Sequence, residues 1–353
     1  MIDWFRRRSR QESFVFEVTT RCHHECLHCY NAWKNGAPYP AGELATEQTL
    51  KMLGRMLDQT QARLVTLSGG EPLLRTDLGQ IVDYLAGRGV ASNLICNGTL
   101  LDAAAIERIG PRRVSVFELP LLSVEREIHD RMSGAAGAFD KVTMAVAELK
   151  AAGATVVTVF VATKLNLPTW RATAELAIAL GADGIMFNRF NPGGEGGRNV
   201  GLLQASPAEL TAALDVAEEL ATTYEMPISC SIAMPPCLFD TGKYKRLTFG
   251  FCAAGSERAY YTLDPVGNVR PCNHSPRVLG NIRTGSFRAM TKSAAMKSFV
   301  SARPAFCGGC ELEVECQGGC KAAAEACYGD ASLCDPFLGA FAGQAVKLTA
   351  KDG

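Results

Sequence analysis

Six short runs rich in β-branched and aromatic residues recur between positions 13 and 189, and this recurrence is the strongest constraint on the fold. The runs are 13–18, 63–67, 91–96, 113–118, 155–161 and 184–189. Between them, Glu47 to Asp58, Leu78 to Gly87, Phe139 to Ala152 and Trp170 to Leu180 repeat apolar residues with helical period. Strands alternating with helices predict parallel pairing through right-handed crossovers, with helices outside the sheet. Six units are too few to close an eight-stranded barrel. Ligands then gather at the C-terminal ends of the strands.

Two of those strand ends carry distinctive residues. The first strand, with Phe14-Val-Phe-Glu-Val18, runs into Arg21-Cys-His-His-Glu-Cys-Leu-His-Cys-Tyr30. Its C-x3-C-x2-C spacing gathers Cys22, Cys26 and Cys29 on one tight loop. Structural zinc and closed iron–sulfur clusters take four protein ligands, so three thiolates leave one metal corner free. Alone, the tripod also suits a zinc loop with a distant fourth ligand, or reduced buried thiols. The second strand, Leu64-Val-Thr-Leu67, ends in Ser68-Gly-Gly-Glu-Pro72. Paired glycines permit close backbone approach and dihedrals that other residues avoid.

The two motifs at this interval resemble the radical S-adenosylmethionine (radical SAM) enzymes. The resemblance implies an α/β fold, a partial (β/α)6 TIM-like barrel open on one side. It implies a [4Fe–4S] cluster on Cys22, Cys26 and Cys29, whose free iron is chelated by the methionine moiety of S-adenosylmethionine. Gly69, Gly70, Glu71 and Pro72 are then cofactor contacts, with backbone groups and Glu71 accepting from the ammonium. His28 occupies the position of an aromatic that lies near the adenine. Asn97, in Cys96-Asn-Gly-Thr99, matches the Asn-Gly element near the methionine moiety, and Cys96 reads as a small core residue. Lys164, Asn166, Arg189 and Asn191, after the fifth and sixth strands, are further candidates for the cofactor.

The fourth strand departs from the family: Glu118-Leu-Pro-Leu-Leu-Ser123 stands where relatives have Ser-Leu-Asp-Gly, so Glu118 is a candidate ribose or substrate contact. His129-Asp-Arg131 and Gly134 resemble the usual sequel, and equally suit a helix cap and turn. Residues 193–201, Gly-Gly-Glu-Gly-Gly-Arg-Asn-Val-Gly, read as a flexible joint. A helix from Pro207 to Tyr224 follows, with Ser206 as its N-cap.

Composition then shifts. Eight of the fourteen cysteines lie from Cys252 to Cys334: Cys252, then Gly267-x4-Cys272, then Cys307-x2-Cys310-x5-Cys316-x3-Cys320, with Cys327 and Cys334 beyond. Paired C-x2-C motifs also hold zinc. The spacing resembles the seven-cysteine SPASM extension of one radical SAM branch, a small cysteine-rich C-terminal domain that implies two auxiliary [4Fe–4S] clusters. Carried across, Cys307, Cys310, Cys316 and Cys334 ligate the outer cluster, and Cys252, Cys272 and Cys320 the inner one. The fourth inner ligand is Cys237, Cys327 or an open iron. The expected division is an N-terminal arm at 1–12, the barrel at 13–200, a linker helix region at 201–245, the SPASM domain at 246–340 and a tail at 341–353.

The resemblance implies reductive cleavage of S-adenosylmethionine to methionine and a 5′-deoxyadenosyl radical, which takes hydrogen from an unactivated carbon. Asp264 and Glu118 are the candidate acid–base groups. Relatives with an acidic residue after the second inner cysteine contrast with Asn273 here, which weakens a sulfatase-maturing reading. SPASM enzymes most often modify ribosomal peptides by cross-linking or oxidation, and some act on tetrapyrroles or sugars. With the first strand near residue 13, a leader-binding module is expected on a separate protein. A flavodoxin or ferredoxin is the expected electron donor. A non-enzymatic iron–sulfur or zinc binding protein is the remaining class.

Composition trims these options. The formal net charge is zero, with 20% charged and 47% apolar residues, which argues against nucleic acid as a partner. Arg6-Arg-Arg8 with Arg10 reads as a solvated arm. No run of about 20 apolar residues suggests a membrane span, and the N-terminus lacks a signal peptide's pattern. Fourteen cysteines without a secretion signal point to metal binding in a reducing cytoplasm.

Overall fold

The computed structural model describes residues 11–35, 39 and 42–344. The basic run Arg6–Arg8 with Arg10, and the tail beyond 344, lie outside the described residues. The strands are β1 (Ser13–Thr19), β2 (Leu64–Gly69), β3 (Ala91–Ile95), β4 (Val116–Pro120), β5 (Val156–Ala162), β6 (Gly184–Arg189), β7 (Ile228–Cys230), β8 (Leu247–Phe249), β9 (Thr262–Leu263), β10 (Asn268–Arg270) and β11 (Gly280–Asn281). The first nine helices are α1 (Thr46–Thr60), α2 (Leu78–Gly87), α3 (Ala103–Ile109), α4 (Arg126–Ser133), α5 (Ala138–Ala151), α6 (Trp170–Ala179), α7 (Gly194–Arg198), α8 (Val200–Leu203) and α9 (Pro207–Thr223).

All the strands join one sheet in the order β11-β10-β9-β1-β2-β3-β4-β5-β6-β7-β8. β1 through β8 run parallel in chain order, the expected consequence of right-handed crossovers. The six expected strands are all present, and β4 starts later than expected because Pro111–Arg113 forms a 3₁₀ turn. Five further strands flank them. β9 pairs parallel with β1 and continues into the antiparallel β9–β10–β11 meander, so the cysteine-rich segment begins as an extension of the barrel sheet. Strands of two or three residues are too short for alternation to reveal them.

Alternation along β1 sorts its side chains. Phe14, Phe16 and Val18 pack with Met52, Leu53, Met56 and Leu57 of α1 in the main apolar core. Val15, Glu17 and Thr19 take the opposite face, toward the barrel interior. A second core joins β5–β7 to α6 and α9 and takes in Phe337 from the C-terminal segment. Ser206 caps α9 with a full capping box, its side chain accepting from Glu209 N and the Glu209 carboxylate accepting in return. Among the described residues, no helix is long and apolar enough to cross a membrane.

Candidate functional site

The cysteine loop leaves β1 at Thr19 and is held against the end of β2 by backbone contacts. Gly70 N donates to Thr19 O at 2.8 Å and Glu71 N to Arg21 O at 2.7 Å. A Cβ on Gly69, whose φ is +135°, would meet Thr19 O at 2.3 Å, and one on Gly70 would meet Arg21 O at 2.1 Å. The glycine pair is therefore shaped first by the cysteine loop, which lies against it. Pro72 opens the 3₁₀ turn Pro72–Leu74 that follows. On the other side, a Cβ on Gly134, at the end of α4, would meet Glu25 O at 2.3 Å. Gly70→Ala is expected to displace the loop, costing about 1–3 kcal/mol. Urea denaturation with iron analysis after anaerobic reconstitution checks this.

The run 193–201, expected as a flexible joint, is instead two short helices wedged onto the same loop. Gly196 N donates to Cys29 O at 2.9 Å, and Asn199 Nδ2 donates to Leu27 O at 2.9 Å. A Cβ on Gly194 would lie 2.6 Å from Asn31 O, so small residues here serve contact.

Burial, reinforced by Cys29, pushes the Cys26 thiol up to about 12, and burial raises Cys29 as well. Such thiols give up their protons only to a cation that takes its place. Burial lowers His28 to about 4, leaving a neutral ring. Its Nδ1 is buried without a partner, as are Asn97 Nδ2 and Trp33 Nε1. Three thiols on one loop, flanked by unpartnered polar atoms, fit a cluster and a polar cofactor. Beside Cys22 opens a cavity of about 540 Å³, lined by Arg21, His23, Trp33, Lys34 and Tyr39 among others.

The remaining predicted contacts divide. Glu71 is fully buried; its carboxylate accepts from Leu73 N at 3.0 Å and Asn97 N at 2.7 Å, joining the ends of β2 and β3. Burial raises it to about 7 against those two donors. Asn166 is saturated: Oδ1 accepts from Thr163 N and Oγ1, and Nδ2 donates to Leu122 O and Val161 O. Lys164 is exposed and acts electrostatically on Glu209 at the start of α9. Arg189 is buried and forms an ion pair with Asp335 at 2.5 Å, its Nε donating to Ala233 O at 2.7 Å. Asp335 Oδ2 also accepts from Cys320 N at 2.9 Å, so Arg189 pins cysteine-bearing segments to the barrel. Asp264 is engaged on both oxygens, by Val266 N, Asn268 N, Asn268 Nδ2 and Tyr39 OH, and shapes the β9–β10 turn. Glu118 differs: burial alone raises it to about 7. Cys96 is a buried core residue, as expected.

Thiol–thiol electrostatics sort the C-terminal cysteines. Cys272 feels Cys320 and Cys252, the expected inner set. Cys307 feels Cys316, Cys334, Cys237 and Cys310, so Cys237 joins the outer group. Cys327 feels Asp335, and its Sγ would lie 3.8 Å from a Cβ on Gly197. Among the described residues, no group of His, Cys, Asp or Glu closes tightly enough for a single metal ion. All fourteen cysteines are free.

Several residues escaped the sequence reading. Tyr30, next to Cys29, accepts from Asn273 Nδ2 at 2.9 Å and stacks on His274 with centroids 3.9 Å apart. The loop after Cys29 thus touches the loop after Cys272. Asn191, which the sequence did offer as a cofactor contact, places Nδ2 3.3 Å from Cys320 Sγ. Arg270 pairs with Glu17 inside the barrel, donates to Ser275 O at 2.9 Å, and lies over the rings of Trp33 and Tyr39. Adjacency to Cys29 and Cys272 was the only local signal for these residues.

The radical SAM superfamily profile matches residues 16–177, and the SPASM iron–sulfur cluster-binding domain matches residues 252–311. An AdoMet-dependent heme synthase of Methanosarcina barkeri is 29% identical over 92% of this chain and 95% of its own length. A PqqA peptide cyclase of Granulibacter bethesdensis is 27% identical over 91% of this chain and 85% of its own. The crystal structure of Streptococcus suis SuiB bound to S-adenosylmethionine superposes with a TM-score of 0.73 at 14% identity, covering 93% of this chain and 77% of that one. This last likeness shows the fold.

Proposed function

This chain is a radical SAM enzyme with a SPASM extension, and on that premise we propose that it modifies a ribosomal peptide by hydrogen abstraction, leading to a cross-link or an oxidation. Cys22, Cys26 and Cys29 would hold a [4Fe–4S] cluster, and the unpartnered His28 Nδ1 and Asn97 Nδ2 would serve the bound S-adenosylmethionine. Once bound, these groups supply reductive cleavage to a 5′-deoxyadenosyl radical. Cys252, Cys272 and Cys320 form one auxiliary site and the outer thiols another.

The observation that carries this reading is the junction of Tyr30 with Asn273 and His274. It links the S-adenosylmethionine loop to the inner auxiliary loop, a short path for removing an electron from a product radical. The cavity beside Cys22 opens at the strand ends and is rimmed by Arg21, His23 and Lys34, a polar mouth that suits a peptide chain. Relatives named as peptide cyclases support the substrate class. A flavodoxin or ferredoxin supplies electrons, a separate protein presents the precursor's leader, and the free thiols belong to a reducing cytoplasm.

A second reading, tetrapyrrole chemistry, has its own support in the heme synthase relative, which aligns over nearly its full length. Anaerobic incubation of reconstituted protein with S-adenosylmethionine, dithionite and candidate peptides decides between them. Release of 5′-deoxyadenosine with a peptide lighter by two hydrogens supports the first reading. Unchanged peptides with conversion of a tetrapyrrole support the second, and no 5′-deoxyadenosine at all defeats both.

Glu118 is the unshared carboxylate of the barrel strands and is proposed as the base. With its folded value near 7, the ionised form grows as pH rises, so turnover should climb through pH 7. Glu118→Gln should lower peptide turnover about 10²–10⁴-fold and flatten that rise. A pH–rate profile with an unchanged slope in the variant refutes the role.

A further inference from the structure

Four thiols line one small cavity at the outer end of the C-terminal segment: Cys237, Cys307, Cys310 and Cys316. Cys334 is absent from that lining. It sits just before the helix Pro336–Ala340, its Cβ 3.5 Å from where a Cβ on Gly339 would stand, and its charge bears on Cys307, as those of Cys316, Cys237 and Cys310 do. Apart from Glu313, the rest of the lining is apolar or glycine, with Pro236 and Phe306 beside the thiols.

Cys237 comes from the connection between β7 and β8, well before the cysteine-rich segment. Its position is set from the barrel side. Pro235 and Pro236 restrict the backbone, and Leu238 N and Phe239 N both donate to Pro235 O, at 2.9 and 3.1 Å. Phe239 is buried and stacks on Phe337, with centroids 5.7 Å apart. This turn therefore presents Cys237 to the cavity from a rigid support. Closed iron–sulfur clusters take four thiolates, and the cavity supplies four.

We infer that Cys237 is the fourth thiolate of the outer auxiliary cluster, at the corner that family spacing gives to Cys334. The inference rests on the proposed outer cluster. It makes that cluster a covalent rivet between the barrel and the C-terminal segment, with Cys237 losing its proton as it binds iron.

The test is anaerobic reconstitution of the full chain, followed by iron analysis and Mössbauer spectroscopy of Cys237→Ala, Cys237→Ser and Cys334→Ala. Wild type should hold about twelve irons, four for each cluster. Cys237→Ala should lose one to four of them, whereas Cys334→Ala should keep the wild-type spectrum. Cys237→Ser, close in shape to the native residue, should show one iron with the raised isomer shift of oxygen ligation. Loss in Cys334→Ala with unchanged spectra for both Cys237 variants overturns the assignment, as does equal loss in Cys237→Ala and Cys334→Ala. A wild type holding no more than about eight irons removes the outer cluster itself, a failure of the premise that the variants' spectra keep distinct.

Discussion

Replacing Cys22, Cys26 and Cys29 together by alanine is expected to reduce 5′-deoxyadenosine release to background, a fall on the order of 10⁶-fold. Groups that act as one catalytic unit show losses of that size when the unit is removed. The chain should still fold. Three anchors of the loop are backbone contacts that involve no sulfur, from Gly70 N to Thr19 O, from Glu71 N to Arg21 O, and from Gly196 N to Cys29 O. Removing sulfur leaves all three in place. Circular dichroism and urea midpoints should therefore match the wild-type apoprotein, while reconstituted iron falls by about four atoms per chain. Turnover that survives the triple substitution would end the radical SAM assignment of this loop.

Asp335→Ala is expected to be the most destabilising single substitution at the junction between barrel and C-terminal segment. Its carboxylate accepts from Arg189 Nη2, from Cys320 N at 2.9 Å and from Phe337 N at 2.9 Å, and both members of the ion pair are fully buried. Removing one partner leaves the Arg189 guanidinium charged and uncompensated, a loss of about 3–5 kcal/mol. Arg189 also lies over the Phe337 ring at 4.9 Å, so the orphaned charge has no route to water. The double variant Asp335→Ala with Arg189→Met should recover part of that loss, because the desolvated cation goes with its partner. Urea unfolding of the two single variants and the double variant measures the coupling. Additive effects would show that the pair contributes nothing beyond its separate hydrogen bonds. The same substitution should loosen Cys320, so iron in the inner site should fall with stability.

The chemistry-bearing loops were readable because their information is local. Cys22, Cys26 and Cys29 declare themselves by spacing, and Gly69-Gly70-Glu71-Pro72 by its place after a β-rich run. β1 to β6 follow from runs of five to seven residues. β7 to β11 span two or three residues each, and their pairing is set by the sheet edge they join. Residues 193–201 looked like a joint because glycine is common in linkers. Here its lack of a side chain admits carbonyls of the cysteine loop. Asn166 and Arg189 stood at the right strand ends for cofactor contacts, yet their polar atoms are occupied by Leu122, Val161, Ala233 and Asp335.

The linear order of residues was enough to establish a half-barrel, a tripod of thiols and a second field of cysteines, since each depends on periodicity or intervals within a few dozen positions. Which thiols share a site, which carboxylates stay free and which arginine clamps the two halves came only with the folded chain. Arg189 meets Asp335 across 146 positions, and Tyr30 meets Asn273 across 243. Contacts between residues so distant leave no trace in spacing, because packing alone brings them within hydrogen-bonding range.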